Sequence, residues 1–154
     1  MCGIVGVVDS RPDSTVDPAV ITRMLKSIVH RGPDEAGTYD GGRVGLGTRR
    51  LKIIDLQGGH QPMSNEDNTV WVAFNGEIYN HAIRRQELGK TGHQFRTRCD
   101  TEVIVHEWEE HGEQCVDWLD GQFGFALWDS TSQTLMLARD RLGIKPLYYS
   151  WDGT

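Results

Sequence analysis

The sequence predicts an α+β domain. Short apolar runs rich in β-branched residues fall into two groups along the chain, and segments of helical periodicity stand between those groups. The 154-residue length, with 38% apolar and 25% charged residues, fits one globular domain able to bury a core. This order suits a four-layer sandwich as well as a simple α+β domain, and pattern alone does not choose.

Taken in order, "GIVGVV" (3–8) reads as a buried strand. In "DPAVITRMLKSIVHRGPD" (17–34), Asp17 is the expected N-cap and Pro18 the first helical residue. Val20, Met24 and Ile28 make one apolar stripe, and Gly32 and Pro33 end the helix. Strands are expected at "RVGLGTRRLKII" (43–54) and "TVWVAFN" (69–75), followed by a helix through "HAIRRQELGK" (81–90). A third helix starts near Thr101 and runs through "EVIVHEWEEHG", its acidic start matching the helix dipole. "EQCVDWLDG" (113–121) reads as a short helix stopped by Gly121, before strands at "QFGFALWD" (122–129), "TLMLARD" (134–140) and "LYYSW" (147–151).

Sixteen basic against twenty-two acidic side chains give a net charge of -6, spread along the chain, which argues against a nucleic-acid or membrane-binding surface. No run approaches the roughly 18 apolar residues of a spanning helix, so a cytoplasmic location is expected. Cys2, Cys99 and Cys115 have neither disulfide-framework nor zinc-knuckle spacing. Reduced thiols follow as the default.

The chemistry starts at "MCGIVGVVD". With Met1 removed, Cys2 would carry a thiol and a free α-amine on one residue. An α-amine near pKa 7.7–8.0 can take the proton of a thiol near 8.5 at roughly neutral pH, so the residue holds both nucleophile and base. By itself such a cysteine reads as a small core residue. In "FNGEIYN" (74–80), Asn75 and the Gly76 N–H are the donors an oxyanion hole needs, although an isolated Asn-Gly also reads as a strand-to-turn signal. Arg49 and Arg50 lie in or beside a strand, so alternation turns one inward, where it can grip a carboxylate through two hydrogen bonds. Asp100, ahead of a helix, is either an N-cap or a ligand for an amine. Together these groups describe a site for the side-chain amide of a free amino acid, with glutamine the obvious candidate.

The opening Met-Cys-Gly-Ile-Val-Gly, "HRGPDEAG" (30–37), "RRLKIIDLQGGHQPM" (49–63), "FNGEIYN", "RCDTEVI" (98–104), "LDGQFGFALWD" (119–129) and "ARDRLGIKPLYY" (138–149) resemble the glutaminase domain of glutamine-hydrolysing asparagine synthetases over essentially the whole chain. The resemblance implies a four-layer αββα sandwich of the N-terminal-nucleophile hydrolase class, with residues 1–154 forming a type 2 glutamine amidotransferase domain. It implies that Cys2 attacks the glutamine carboxamide, that Asn75 Nδ2 and the Gly76 N–H hold the oxyanion, and that Arg50 grips the α-carboxylate. Asp100 would take the α-ammonium, Glu77 would help place the polar end, and backbone from Leu51 to Ile54 would line the site. Relatives continue past "GIKPLYYSWDGT" with another strand and helix, so a C-terminally incomplete domain is expected. Their Ser-Gly-Gly-Leu-Asp-Ser loop is not in these residues, so ATP and magnesium belong to a synthetase domain absent from this chain, supplied in cis or in trans. The glutaminase domain itself is expected to need no cofactor, and the full-length protein is compatible with a homodimer. Two other expectations remain: a silent fragment that only binds glutamine or a partner, and the glutaminase of a different amidotransferase. Thr48 and Lys52 depart from the family's usual residues, which touches the rim of the site and no proposed catalytic group.

Several other motifs have plainer readings. His106 and His111 of "HEWEEH" are five residues apart, about 140° around a helix, so no metal site is expected from that pair. "GRVGLG" (42–47) lacks the spacing of a nucleotide loop, and "LQGGHQP" (56–62) reads as a surface loop, although the resemblance brings it near the substrate.

Overall fold

A computed structural model describes residues 2–11, 13–52 and 58–153. Among them β1 (Gly3–Val8), β2 (Glu35–Asp40) and β3 (Val44–Arg50) form one antiparallel sheet in the order β1-β3-β2. The second sheet runs β4-β5-β6-β7, from Met63–Ser64, Val70–Ile78, Gly121–Asp129 and Thr134–Arg139. Helix α1 (Pro18–Ser27) packs on the first sheet, and α2 (His81–Thr91) packs on α3 (Glu102–His111), which covers the second.

Strand alternation assigns each face to one layer. Ile4 and Val8 of β1, Val44 and Leu46 of β3, Ala73 of β5 and Ala126 and Trp128 of β6 share the cluster between the sheets. Val5 and Val7 face Ile21 and Leu25 of α1, while Val72, Phe74, Phe125 and Leu127 pack with Val103 and Ile104 of α3. The result is helix, sheet, sheet, helix: the four-layer arrangement. Gly45 and Gly47 of β3 let α1 approach, since a Cβ on either would come within 2.9 Å of Ile21 side-chain atoms. Asp17 caps α1 by accepting the Ala19 N–H, and Pro18 follows as expected.

The structure corrects several boundaries. The buried stripe of α1 is Ile21 and Leu25, with Val20, Met24 and Ile28 only partly covered, because the sheet meets the helix one residue round from the expected stripe. The "EAGTYD" strand β2 was not foreseen, since glycine and acidic residues mask an edge strand's alternation, nor was β4, whose two residues are too few to show any alternation. Gly121 opens β6 and does not stop a helix; the preceding 3₁₀ helix, Gly112–Trp118, already ends before Leu119. β5 does not end at Asn75 but runs on to Ile78, with Asn75 opposite Gly124 and Gly76 opposite Phe123. Of the 43–54 strand, β3 ends at Arg50, and Ile53 and Ile54 lie outside the described residues.

The expected strand at 147–151 is not formed, and Tyr148, Tyr149 and Trp151 are exposed. The chain after β7 is instead anchored by the buried Asp140, whose carboxylate accepts the N–H groups of Phe123, Ile144 and Lys145 at 3.1, 2.8 and 2.9 Å. Burial pushes the Asp140 carboxyl up, but the N–H groups of Lys145, Ile144 and Phe123 outweigh it and hold it below the usual carboxylate value. Asp140→Ala would leave three N–H groups without this acceptor and should destabilise the fold at pH 7 by about 3 kcal/mol or more, read as a lower urea midpoint. Because the folded pKa is depressed, this contribution is present above the unfolded value near 3.9 and is lost as pH falls through the folded one. An unchanged midpoint would remove Asp140 as an anchor.

Candidate active site

A cleft of about 220 Å³ opens at one end of the sheet interface. β1 pairs with β3 so that Gly3 faces Arg49; one further step of the same register sets Cys2 beside Arg50. In the opposite sheet, Asn75 and Glu77 share the inward face of β5 with Ala73. Asp100 reaches the cleft from the residue pair preceding α3. Cys2, Arg50, Leu51, Asn75, Gly76, Glu77 and Asp100 all line this one space, and Ile54 lies outside the described residues.

Each group sits in a defined setting. The half-buried Cys2 thiol lies 3.8 Å from the Leu51 carbonyl oxygen, and Arg31 reaches the Cys2 carbonyl at 3.4 Å. Asn75 is 5% exposed, and among the described residues its side-chain amide makes no hydrogen bond. Glu77 is exposed at the rim. Arg50 is buried, with its guanidinium 3.4 Å from Glu35, while Arg49 turns the other way and donates to the Gly32 and Pro33 carbonyls. Glu35 also pairs with His60 and with Lys52 at 3.3 Å. Burial pushes the Glu35 carboxyl up, and His60 and Lys52 bring it to a net value below normal. Thus Lys52, one of the departures from the family pattern, belongs to the charge network behind Arg50.

Asp100 is not the side-chain cap of α3. Thr101 holds the cap position, and Asp100 Oδ2 instead accepts the Ile78 N–H at 2.9 Å. The Asn-Gly pair is no turn either. A Cβ on Gly76 would fall 2.2 Å from the Gln122 carbonyl oxygen and 2.7 Å from Phe123 Cα, so its missing side chain serves the approach of β6. Gly76→Ala should part β5 from β6 and cost roughly 2–3 kcal/mol of stability, measured by urea unfolding. A variant as stable as the parent would refute that packing requirement.

Sequence reasoning missed Gln61, Cys99, Thr101, Gln122 and Lys145 as cleft residues. Gln61 is nearly buried, donates to Thr101 Oγ1 at 3.2 Å and accepts the Phe74 N–H at 2.9 Å, clamping β5 to the start of α3. Its signal was a polar side chain between a glycine pair and a proline; the surface-loop reading of "LQGGHQP" fails at Gly59 and Gln61, both buried. Burial pushes the Cys99 thiol up to about 11 and the Cys115 thiol to about 12, so both stay protonated near neutrality. A wider depression of about 480 Å³ lies beside Trp108, Glu109 and Asp129, but it gathers no thiol, amide donor and cation together. His111 stacks on Trp118 and approaches Glu107, whereas His106 faces Glu66 and Glu109, so the two histidines form no pair.

This architecture, with a thiol at the head of the first strand, is that of the amidotransferase sandwich. The solved glutamine phosphoribosylpyrophosphate amidotransferase from B. subtilis, complexed with ADP and GMP, superposes with a TM-score of 0.72 at 19% identity, over 95% of this chain and 38% of that one. A second solved structure, an allosteric regulatory enzyme of purine biosynthesis, gives 0.72 at 20% identity with the same coverage. The family model for the glutamine amidotransferase domain matches residues 1–154, and the chain belongs to that family. Among its relatives, asparagine synthetase [glutamine-hydrolyzing] 1 of Bacillus subtilis is 46% identical over 152 residues, 97% of this chain and 24% of that protein. Asparagine synthetase [glutamine-hydrolyzing] 2 of Arabidopsis thaliana is 46% identical over 98% of this chain and 26% of its own length. Asparagine synthetase [glutamine-hydrolyzing] 3 of Bacillus subtilis is 41% identical over all of this chain and 25% of its own length. The chain therefore spans about a quarter of the length of these relatives.

Proposed function

We propose that this domain hydrolyses the side-chain amide of glutamine to glutamate and ammonia through a thioester on Cys2. The observation that carries the reading is one cleft holding a half-buried thiol, a buried amide without a partner among the described residues, a buried guanidinium and a buried carboxylate. Once Cys2 is the first residue, its α-amine takes the thiol proton, and the sulfur attacks the carboxamide carbon. Asn75 Nδ2 and the Gly76 N–H stabilise the oxyanion. The C–N bond then breaks, and the amide nitrogen leaves as ammonia with the proton that came from the thiol. Water attacks the thioester, glutamate departs and the thiol is restored. Arg50 holds the substrate α-carboxylate, Asp100 its α-ammonium, and Glu77 steadies the polar end, with Leu51 along the wall.

The 41–46% identity to asparagine synthetases supports an acceptor step in which a synthetase domain, in cis or in trans, uses the ammonia to convert aspartate to asparagine. ATP and magnesium serve that step in this reading, glutamine hydrolysis needs neither, and the full-length enzyme works in the cytoplasm as a homodimer.

Glutamate release from glutamine, measured on protein whose mass establishes loss of Met1, tests the proposal. Activity should vanish in Cys2→Ala; equal glutamate from both proteins would sink it. Asn75→Ala should lower kcat about 10²- to 10³-fold, the usual effect of removing one oxyanion donor, and unchanged turnover would take Asn75 out of the mechanism. Arg50→Ala should act mainly on KM, because it contacts a remote carboxylate; an unaltered KM would assign that contact elsewhere.

A further inference from the structure

The geometry points to a second site on this domain, a closed divalent-metal site of the zinc class formed by Glu66, His93, His106 and Glu109. These residues come from three places: the β4–β5 turn, the α2–α3 connection and α3 itself. One ligand atom from each lies within 4.8 Å of all the others. Both imidazoles present Nδ1, and each carboxylate meets both. His106 Nδ1 is 2.9 Å from Glu109 Oε2 and 3.5 Å from Glu66 Oε2, while His93 Nδ1 is 3.6 Å from Glu109 Oε2 and 3.7 Å from Glu66 Oε1. A tetrahedral zinc ion with bonds of about 2.0–2.2 Å to nitrogen and oxygen separates its ligand atoms by roughly 3.3–3.6 Å. The nitrogen–oxygen pairs, at 2.9–3.7 Å, bracket that spacing, and all four ligand atoms lie within 4.8 Å, so small side-chain shifts would close them on one ion.

The remaining polar atoms aim the ligands, as second-layer partners do around metals. Asn65 Oδ1 accepts the Thr69 and Val70 N–H groups, which fixes its amide so that Nδ2 donates to Glu109 Oε1 at 2.8 Å. That leaves Glu109 Oε2 for the centre. The Gln94 N–H holds Glu66 Oε1 at 2.8 Å, and His93 Nε2 meets Glu110 at 2.9 Å, the carboxylate–histidine arrangement that orients a ligating ring. His106 is 1% exposed, and among the described residues its Nε2 has no hydrogen-bond partner, so Nδ1 is the atom that meets the carboxylates. A cation at the centre would take both Nδ1 atoms and both carboxylates as ligands at once. Two imidazoles and two carboxylates suit zinc and its first-row neighbours, and four protein ligands leave no open position, so the role is structural.

The test uses the chelator-treated protein carrying Cys2→Ala, which removes the accessible thiol, titrated with CoCl₂ and then ZnCl₂. One Co²⁺ per chain should bind with the visible bands of four-coordinate cobalt and no thiolate charge-transfer band, and Zn²⁺ should displace it. Zinc at a hundredfold excess over its Kd should raise Tm by about 5–10 °C. His93→Ala and Glu109→Gln should each weaken binding at least about tenfold. A parent that takes up no Co²⁺, a thiolate band, or affinity unchanged in both variants would overturn the site. The parent's stoichiometry and spectrum decide the matter even where a variant fails to fold.

Discussion

The antiparallel register of β1 on β3 is the constraint from which both core and cleft follow. It pairs Gly3 with Arg49 and Val8 with Val44, so Val44 and Leu46 point into the space between the sheets. The same alternation brings Arg50 inward and sends Arg49 to the carbonyls of Gly32 and Pro33. A slip of one residue would exchange the two arginines and turn the apolar set outward. Burying a Val or Leu is worth about 1.5–3 kcal/mol, so losing Val44 and Leu46 alone is prohibitive for a marginally stable domain. Core packing thereby enforces which guanidinium meets the cleft.

The far wall is held by satisfied polar groups as well as by apolar contact. Glu102, 1% exposed, accepts the N–H groups of Arg96 and Thr97 and the Thr97 hydroxyl. Glu107, fully buried, takes Arg84 through two bonds, and Gln61 joins β5 to Thr101. Each such group, left unpaired, would cost roughly 1–3 kcal/mol or more, so the loop before α3 has one arrangement that meets all demands. Asp100 inherits its position from that arrangement. Cys99 beside it is kept protonated by burial, with its pKa pushed up to about 11, and of the three cysteines Cys2 is the one whose side chain is not buried.

The sequence made legible whatever depends on local pattern: α1 with its Asp17 cap and Pro18, α2, α3, and the strands with β-branched or aromatic runs. The cleft residues were legible through the resemblance as a set, while their local settings were not. Asn75-Gly76 looks like a turn until β6 is seen to need the glycine, and Asp100 looks like a cap until Ile78 is seen to claim its carboxylate. β2 escaped because its alternation is carried by Gly, Thr and acids, and the 147–151 strand was expected from aromatic content that the fold leaves exposed. Gln61 and the His93–His106 contact arise between segments 40 and 13 residues apart, distances over which no periodicity speaks.

α3 joins these observations into one mechanical unit. Asp100 and Thr101 stand at its start in the cleft wall, and His106 follows six residues after Asp100, about 9 Å along the axis. Glu66 and His93 approach that point from the β4–β5 turn and the α2–α3 connection, on the layer opposite the sheet interface. A cation there would bridge three segments that otherwise meet through hydrogen bonds and a ring contact of 4.8 Å between His93 and His106. Its two positive charges would offset the two carboxylates, so the filled site would carry little net charge of its own. Clamping the helix away from the cleft fixes the position of Asp100 while leaving the chemistry around Cys2 untouched.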